Sequence, residues 1–315
     1  MNAFTSPGKT PAPLLGDVAS RFVAPAKVNR FLHVTGRDDD GYHRLQTVFQ
    51  FLDWGDELQI TLRDDSEIRI TGDLSGLSPA DNLVGRAAHL LQQECDVRRG
   101  ATIAISKRIP PGSGLGGGSS DAATTLLVLN RLWQLHCPIE QLCAWGLKLG
   151  ADVPVFIAGR ACLAEGRGER MRPILADEGP LLLFLPPIHS STAAVFARPE
   201  MVRGSAPLAV AERGRGAVEL SGALAAAIAA ARNDCEAAAL AASPALAAVA
   251  RTLRQHAPFV MSGTGSAFYS RLPSRENMRT IAGLVSSVPG QVVTTSVTNL
   301  SPLRMQLGGD ATAAG

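Results

Sequence analysis

From Arg21 to Leu62 apolar and polar positions alternate with a period of two, the pattern of half-buried strands. Phe22-Val23-Ala24 leads through Pro25-Ala26-Lys27 into a second run, Val28 to Val34. Arg37-Asp-Asp-Asp-Gly41 reads as a polar turn and Leu45 to Leu52 as a further strand. Glu57–Leu62 and Glu67–Thr71 read as a hairpin. The period then lengthens. Leu83, Ala87, Leu90 and Leu91 share one face of a helix over 82–93, which Asp81 can cap. A strand over 102–106, a helix through about Leu135, a helix over 140–149 stopped by Gly150 and a strand over 161–165 follow.

A second half starts near Gly179 with the buried strand Leu181–Leu185. The alanine-rich stretch 223–250 is broken at Asn233-Asp234 and at Pro244. Leu224, Ile228, Leu240, Leu246 and Val249 give it an apolar stripe, so two or more close-packed helices are expected rather than low-complexity chain. A short strand at 259–261, a helix over 276–287 and a strand over 291–298 complete the pattern. The expected division is a loose tail over 1–20, an N-terminal domain over 21–178, a C-terminal domain over 179–304 and a tail over 305–315. The mixed succession belongs to the α/β (α+β) class.

One stretch breaks the periodicity: Ile109-Pro-Pro-Gly-Ser-Gly-Leu-Gly-Gly-Gly-Ser-Ser-Asp-Ala-Ala123. It joins a strand to an apolar helix, which a flexible linker between domains seldom does. Glycine lets backbone approach a ligand closely, and a helix start offers unpaired N–H groups to an anion. Ser119, Ser120 and Asp121 are natural caps for a helix beginning at Ala122. The stretch therefore reads as a polyphosphate cradle. Gly112, Gly114 and Gly117 satisfy G-x-G-x-x-G, but Lys107-Arg-Ile-Pro-Pro111 intervenes after the strand and no acidic residue ends the next one, against a dinucleotide fold. Gly118 is followed by Ser119 and not Lys, against a Walker A loop, and the His-Arg-Asp and Asp-Phe-Gly of protein kinases are missing.

The 315 residues, 46% hydrophobic, suffice for a large core and suggest two domains; a net charge of +2 argues against nucleic-acid binding through a basic field. Five cysteines without a C-x-x-C pair point away from a disulfide framework or structural zinc and toward a reducing cytoplasm. No apolar run reaches the length of a membrane span and no signal-peptide apolar region opens the chain. Cys235 has no histidine beside it in sequence and is expected to be no nucleophile.

Pro25-Ala-Lys-Val-Asn29, Asp40-Gly-Tyr-His43, the stretch 110–123, Gly150-Ala-Asp-Val-Pro154, Asn233-Asp-Cys-Glu236 and Ser262-Gly-Thr-Gly-Ser266 occur in the order found in GHMP small-molecule kinases. Over about residues 21–300 the chain resembles that family. Asp40-Gly-Tyr-His43 and the doubled-glycine Gly-Leu-Gly-Gly-Gly-Ser-Ser resemble its branch acting on 4-diphosphocytidyl-2-C-methyl-D-erythritol, rather than its homoserine or mevalonate branches. The resemblance implies an N-terminal domain like the second domain of ribosomal protein S5, a ferredoxin-like C-terminal domain and substrates meeting in the cleft between. It implies transfer of the ATP γ-phosphoryl to the 2-hydroxyl of that alcohol, with Mg²⁺ bridging the phosphates. A protein of that fold that binds nucleotide without turnover is the alternative from another class, and monomer and homodimer stay open.

The resemblance also implies roles. Lys27 and Asp152 are the catalytic pair. A solvated edge lysine and a helix cap are their bland readings. Pro110, Pro111, Gly112, Ser113, Gly114, Leu115, Gly116, Gly117, Gly118, Ser119 and Ser120 make up the ATP cradle, with Asn82 and Lys107 toward the adenosine. Lys107 also reads as a solvated lysine before Pro110. Asn29, Tyr42, His43, Phe196, Gly263 and Thr264 would contact the alcohol substrate. Tyr42 and His43 suit a pyrimidine by stacking and hydrogen bonding, or simply flank a turn. Phe196 would ordinarily be core, and Ser262–Ser266 a tight turn. Asn233–Glu236 is expected to cap and pin helices. Arg30 departs from the pattern, either adding a phosphate contact or lying on the outer face of the sheet.

Overall fold

The computed structural model describes residues 20–72, 82–213, 216–220 and 222–308. The expected tail over 1–20 falls outside these residues except for Ser20, as does the proposed cap Asp81. Strands β1 (Ser20–Arg37) and β2 (His43–Arg63) are each a single long strand where the sequence pattern suggested separate runs. They pair antiparallel along their length, and register shifts at Pro25/Lys27, Asn29/Leu32 and Val34/Gly36 account for the apparent breaks. Next come β3 (Ile68–Gly72), α1 (Leu83–Glu94), β4 (Gly100–Ser106), α2 (Gly117–Leu132), α3 (Ile139–Leu149) and α4 (Val153–Ala158). Then follow β5 (Cys162–Gly166), β6 (Arg170–Pro173), β7 (Gly179–Leu185) and α5 (Thr192–Ala197), with β8 (Glu212–Arg213) and β9 (Ala217–Val218) as a small ribbon. The chain closes with α6 (Gly222–Ala230), α7 (Glu236–Ala242), α8 (Pro244–Arg254), β10 (Val260–Met261), β11 (Phe268–Arg271), α9 (Arg275–Val285), β12 (Gln291–Thr298) and α10 (Pro302–Gln306).

Glu57–Leu62 and Glu67–Thr71 do not form a hairpin. Strand β4 lies between them, antiparallel to β2 and parallel to β3. Periodicity marks both segments as strands but cannot name a neighbour, because pairing is decided by which apolar faces meet across the core. The alanine-rich stretch is three helices, with Pro244 at the first position of α8, where its missing N–H costs nothing. Residues 305 and 306, expected to open a tail, belong to α10. Gln306 Oε1 accepts from Val23 N at 2.9 Å, and Leu307 O accepts from Arg131.

Two α/β halves share one mixed sheet. β2 is its spine, pairing successively with β5 (Leu45–Phe49), β12 (Phe51, Leu52) and β4 (Glu57–Arg63). Its β12 contact joins the N-terminal strands to the C-terminal group β7, β11 and β10. Around α2, whose residues from Ser120 to Leu129 are all buried, α1, α3 and α4 enclose the first core. The second core lies under α7, α8 and α9. β1 serves both, with Phe22 and Ala24 in the first and Leu32 and Val34 in the second. The residues between them, Lys27 to Arg30, are held where the halves meet.

Candidate active site

Lys27 and Asn29 stand two residues apart on β1, between the irregularities at Pro25/Lys27 and Asn29/Leu32. Bulges re-aim side chains, and both residues line a cleft of about 570 Å³. The Lys27 side chain is only 5% exposed. Its Nζ donates to Asn29 Oδ1 at 2.8 Å and to Gly114 O at 3.0 Å, and lies 3.6 Å from Asp152 Oδ2. The Phe49 ring centroid is 5.0 Å from it. Enclosing an ammonium group is expensive without such partners. Asp152 does sit at the N-cap of α4, but its side chain makes no capping bond and is 38% exposed toward the cleft. Asn29 is fixed in turn by its Nδ2 bond to Thr47 Oγ1 at 2.9 Å.

The glycine loop arches over this pair. Gly116, in the left-handed conformation with φ 76°, turns the chain straight into α2, which starts at Gly117. Ser119, Ser120 and Asp121 are therefore helical residues and not caps ahead of Ala122. A backbone already turned by glycine reaches the helix five residues sooner than capping side chains indicate. The first N–H groups of α2 are left with no intrahelical acceptor, as an anion site requires. Gly112, Ser113, Gly114, Gly116, Gly117, Gly118 and Ser119 all line the cleft. Leu115 and Ser120 do not: Leu115 packs with Ala26 and Val28, its carbonyl accepting from Lys27 N at 3.0 Å, and Ser120 is fully buried. The C-terminal half holds the loop from the other side. Gly112 O accepts from Ser266 N at 3.1 Å and Ser190 N at 3.3 Å, and Ser113 O from Ala267 N at 3.0 Å.

At one end of the cleft Leu83, Val84, Ile105 and Ile109 line an apolar chamber beside Asn82, Pro110 and Pro111. Asn82 takes the capping role expected of Asp81, its Oδ1 accepting from Val84 N at 2.9 Å. Lys107 is not solvated. Its Nζ bridges the buried carboxylates of Asp56 and Asp121, at 2.7 Å from the latter. Asp56 also accepts from the N–H of Arg108 and, at 2.8 Å, of Ile109. The trio ties β2, the loop entrance and α2 together. Burial works against the Lys107 charge, but Asp121 and Asp56 outweigh it and its pKa is raised. Burial pushes the Asp121 carboxyl up to about 7, opposed by Lys107 and reinforced by Asp56.

From the C-terminal half Phe196 lines the cleft, and His43, itself outside the lining, stacks on it, ring centroids 4.8 Å apart. Arg203 Nε donates to His43 Nε2 at 3.3 Å, which leaves Nδ1–H as the free donor of the neutral ring. Burial, followed by the charges of Arg203 and Arg37, lowers the His43 pKa. Tyr42 stays outside the lining, 62% exposed, with the Arg167 guanidinium 4.4 Å above its ring. Gly263 and Thr264 line the cleft across from Gly114. Arg30 takes neither expected place. It is buried between the halves, paired to Asp177 at 3.1 Å and donating to Gln50 Oε1. Cys235 is fully buried and its thiol is pushed up to about 12 by that burial, as suits a packing residue.

The sequence reading missed His189 and Thr192, which no motif marks. The His189 ring occupies the space a side chain on Gly112 would fill, and Thr192 Oγ1 lies 3.0 Å from Thr264 Oγ1. Asp56, which falls between the strands expected over 45–52 and 57–62, carries no motif either. Among the described residues no helix is long and apolar enough to cross a membrane, and no group of three His, Cys, Asp or Glu is placed to hold a metal ion.

Residues 82–160 match the family described as GHMP kinases N terminal domain. A protein of Aromatoleum aromaticum named 4-diphosphocytidyl-2-C-methyl-D-erythritol kinase is 43% identical over 85% of this chain and 88% of its own. A namesake from Pseudoalteromonas translucida is 39% identical over 90% and 95%. The crystal structure of a 4-(cytidine 5'-diphospho)-2C-methyl-D-erythritol kinase superposes with a TM-score of 0.73 at 32% identity, covering 88% of this chain and 99% of that one. Homoserine kinase from Cytophaga hutchinsonii shares the fold, with a TM-score of 0.64 at 16% identity over 93% and 98%.

Proposed function

The chain belongs to the 4-diphosphocytidyl-2-C-methyl-D-erythritol kinase family, a branch of the GHMP kinases, and from that premise we propose how its cleft transfers a phosphoryl group. ATP is the donor. The acceptor is the 2-hydroxyl of 4-diphosphocytidyl-2-C-methyl-D-erythritol, a step of non-mevalonate isoprenoid precursor synthesis, and the products are the 2-phosphate and ADP. The observation that carries this reading is the meeting of Lys27, Asp152 and Gly114, from three separate elements, around one ammonium group.

Phosphoryl transfer asks a protein mainly to align the acceptor and to neutralise developing charge. The α2 start and the glycine loop receive the triphosphate. A tertiary alcohol is a poor nucleophile; Asp152 accepts its proton as the O–P bond forms, and Lys27, held by Asn29 and Gly114, stabilises the oxygen as its charge grows. The apolar chamber takes the adenine. His43 and Phe196 present a stacked face and an Nδ1 donor to the cytosine, with Tyr42 at the rim. Mg²⁺ belongs with the triphosphate, since such ions are usually bound by one or two carboxylates plus substrate phosphates. Asp152 and the Ser119 hydroxyl are oxygen donors on the cleft wall, a set that fits an ion arriving with its phosphates. When bound it supplies neutralising charge between the phosphates. Five free thiols accord with a reducing, cytoplasmic setting.

The test is ADP release with 4-diphosphocytidyl-2-C-methyl-D-erythritol set against mevalonate and homoserine. Turnover confined to the cytidine diphosphate alcohol is expected. Faster turnover of either simple alcohol, or ATP binding without turnover of any, would overturn the reading.

A further inference from the structure

Behind the cleft, outside its lining, Asn233 lies between α6 and α7. Its Oδ1 accepts from Cys235 N at 2.9 Å, which holds the residue that leads into α7. Its Nδ2 spends both hydrogens on one segment, donating to Met261 O at 2.8 Å and Gly263 O at 2.7 Å. Its backbone is itself anchored, bridging to Leu32 of β1, with Leu32 N donating to Arg232 O at 2.9 Å.

The segment it grips reaches the reacting groups. Ser262 Oγ donates to Gly114 O and accepts from Asn29 N, both at 3.3 Å. A peptide plane carries its C=O and N–H on opposite sides. With Gly263 O turned back to Asn233, the N–H of Thr264 faces the other way. The rest of Thr264 is satisfied within the protein: its carbonyl accepts from Ser190 Oγ at 2.6 Å, and its hydroxyl meets Thr192 Oγ1 at 3.0 Å. Its N–H donates to no group among the described residues, although Thr264 is buried and lines the cleft. An amide with no partner among the described residues, on the wall of the cleft beside the start of α2, is free to donate to an oxyanion.

We infer that Asn233 is a positioning residue for phosphoryl transfer: it orients the Gly263–Thr264 peptide so that the Thr264 N–H donates to a phosphate oxygen in the cleft. This rests on the function proposed above. Holding the entry to α7 is the competing role, and Asn233→Asp separates the two. The introduced carboxylate still accepts from Cys235 N, but its other oxygen faces two carbonyl oxygens with nothing to donate.

At about pH 8 kcat should fall about 100-fold, the effect of losing one positioned oxyanion donor, with KM for ATP changed less than about 3-fold. Two facing carbonyls favour the protonated carboxyl, which can donate. The ratio of variant to wild-type kcat should therefore rise at least about tenfold as pH is lowered to about 5.5. A ratio flat across pH, or a loss confined to thermal stability, would overturn the inference. Asn233→Ala, which lacks the rescuable group, should lose kcat at every pH. A crystal structure of Asn233→Asp at high pH supplies a reading independent of turnover. Rotation of the Gly263 carbonyl is expected, and an unmoved carbonyl sinks the inference even if the wild type is active. Wild-type protein inert toward the cytidine substrate would count against the proposed function alone.

Discussion

Replacing Gly114 by alanine tests the phosphate cradle against a control of nearly identical backbone. Gly114 has φ +76°, and an ideal Cβ there would stand 2.3 Å from Ser262 O and 3.0 Å from Gly265 O, both backbone atoms. Gly216 has φ +75° with nothing within 4 Å of the same position. Each substitution carries the left-handed strain of an L-residue, about 1–2 kcal/mol. For a chain of this size that lowers Tm by roughly 2–4 °C per kcal/mol. Gly114→Ala carries something more. Real Cβ atoms keep beyond 3.0 Å, so the Ser262 carbonyl or the loop must retreat by at least 0.7 Å, the difference of 3.0 and 2.3. The same Ser262 bonds to Gly114 and Asn29, so the shift reaches the partners of Lys27. A displacement near 1 Å in a site that works by alignment costs about 100-fold in rate. Steady-state ADP release and thermal melts on both variants decide. Gly216→Ala should lose a few degrees and keep its turnover; Gly114→Ala should lose about 100-fold in kcat/KM for ATP. Equal turnover in the two variants would show that the loop does not cradle the donor.

Three further outcomes follow from the site. Asp152→Asn and Lys27→Met should each reduce kcat by at least about 100-fold while circular dichroism and melting stay near wild type; near-normal turnover in either removes that residue from the catalytic pair. His43→Ala should raise KM for the cytidine substrate about tenfold and leave KM for ATP within about 2-fold, because His43 stands at the Phe196 end of the cleft, and equal effects on both would remove it from the pocket. Asp121→Asn tests the buried trio through pH. A carboxyl whose folded pKa, about 7, exceeds its ordinary 3.8 holds its proton longer in the folded state, so its contribution to stability falls as pH rises between those values. Melts from about pH 4 to 8 should show the Asp121→Asn variant gaining on wild type as pH rises, and a constant difference would mean that Asp121 does not carry the proton.

Much of this protein is legible in its sequence because local physics is enough to write it. Period-two alternation marks β1, β2, β4 and β12, the apolar stripe marks α1, and a run of glycines between a strand and a helix marks the loop proposed to receive the phosphates. Lys27, Asn29, Asp152 and the glycine loop were nameable from short motifs, and the structure brings them to one cleft, with Leu115 and Ser120 packed away from it. What the sequence could not state is anything that depends on a partner distant along the chain. The place of β4 between β2 and β3 is decided by which faces meet over α2. The enclosure of Lys107 by Asp56 and Asp121 needs a strand and a helix 65 positions apart to converge. Arg30 reads as an anomaly until Asp177 is beside it, and Asn233 reads as a cap until Gly263 lies against its amide. Hydrogen bonds and ion pairs are short-ranged and directional, so their membership is settled only when packing of the two cores has delivered both partners to the same few ångströms.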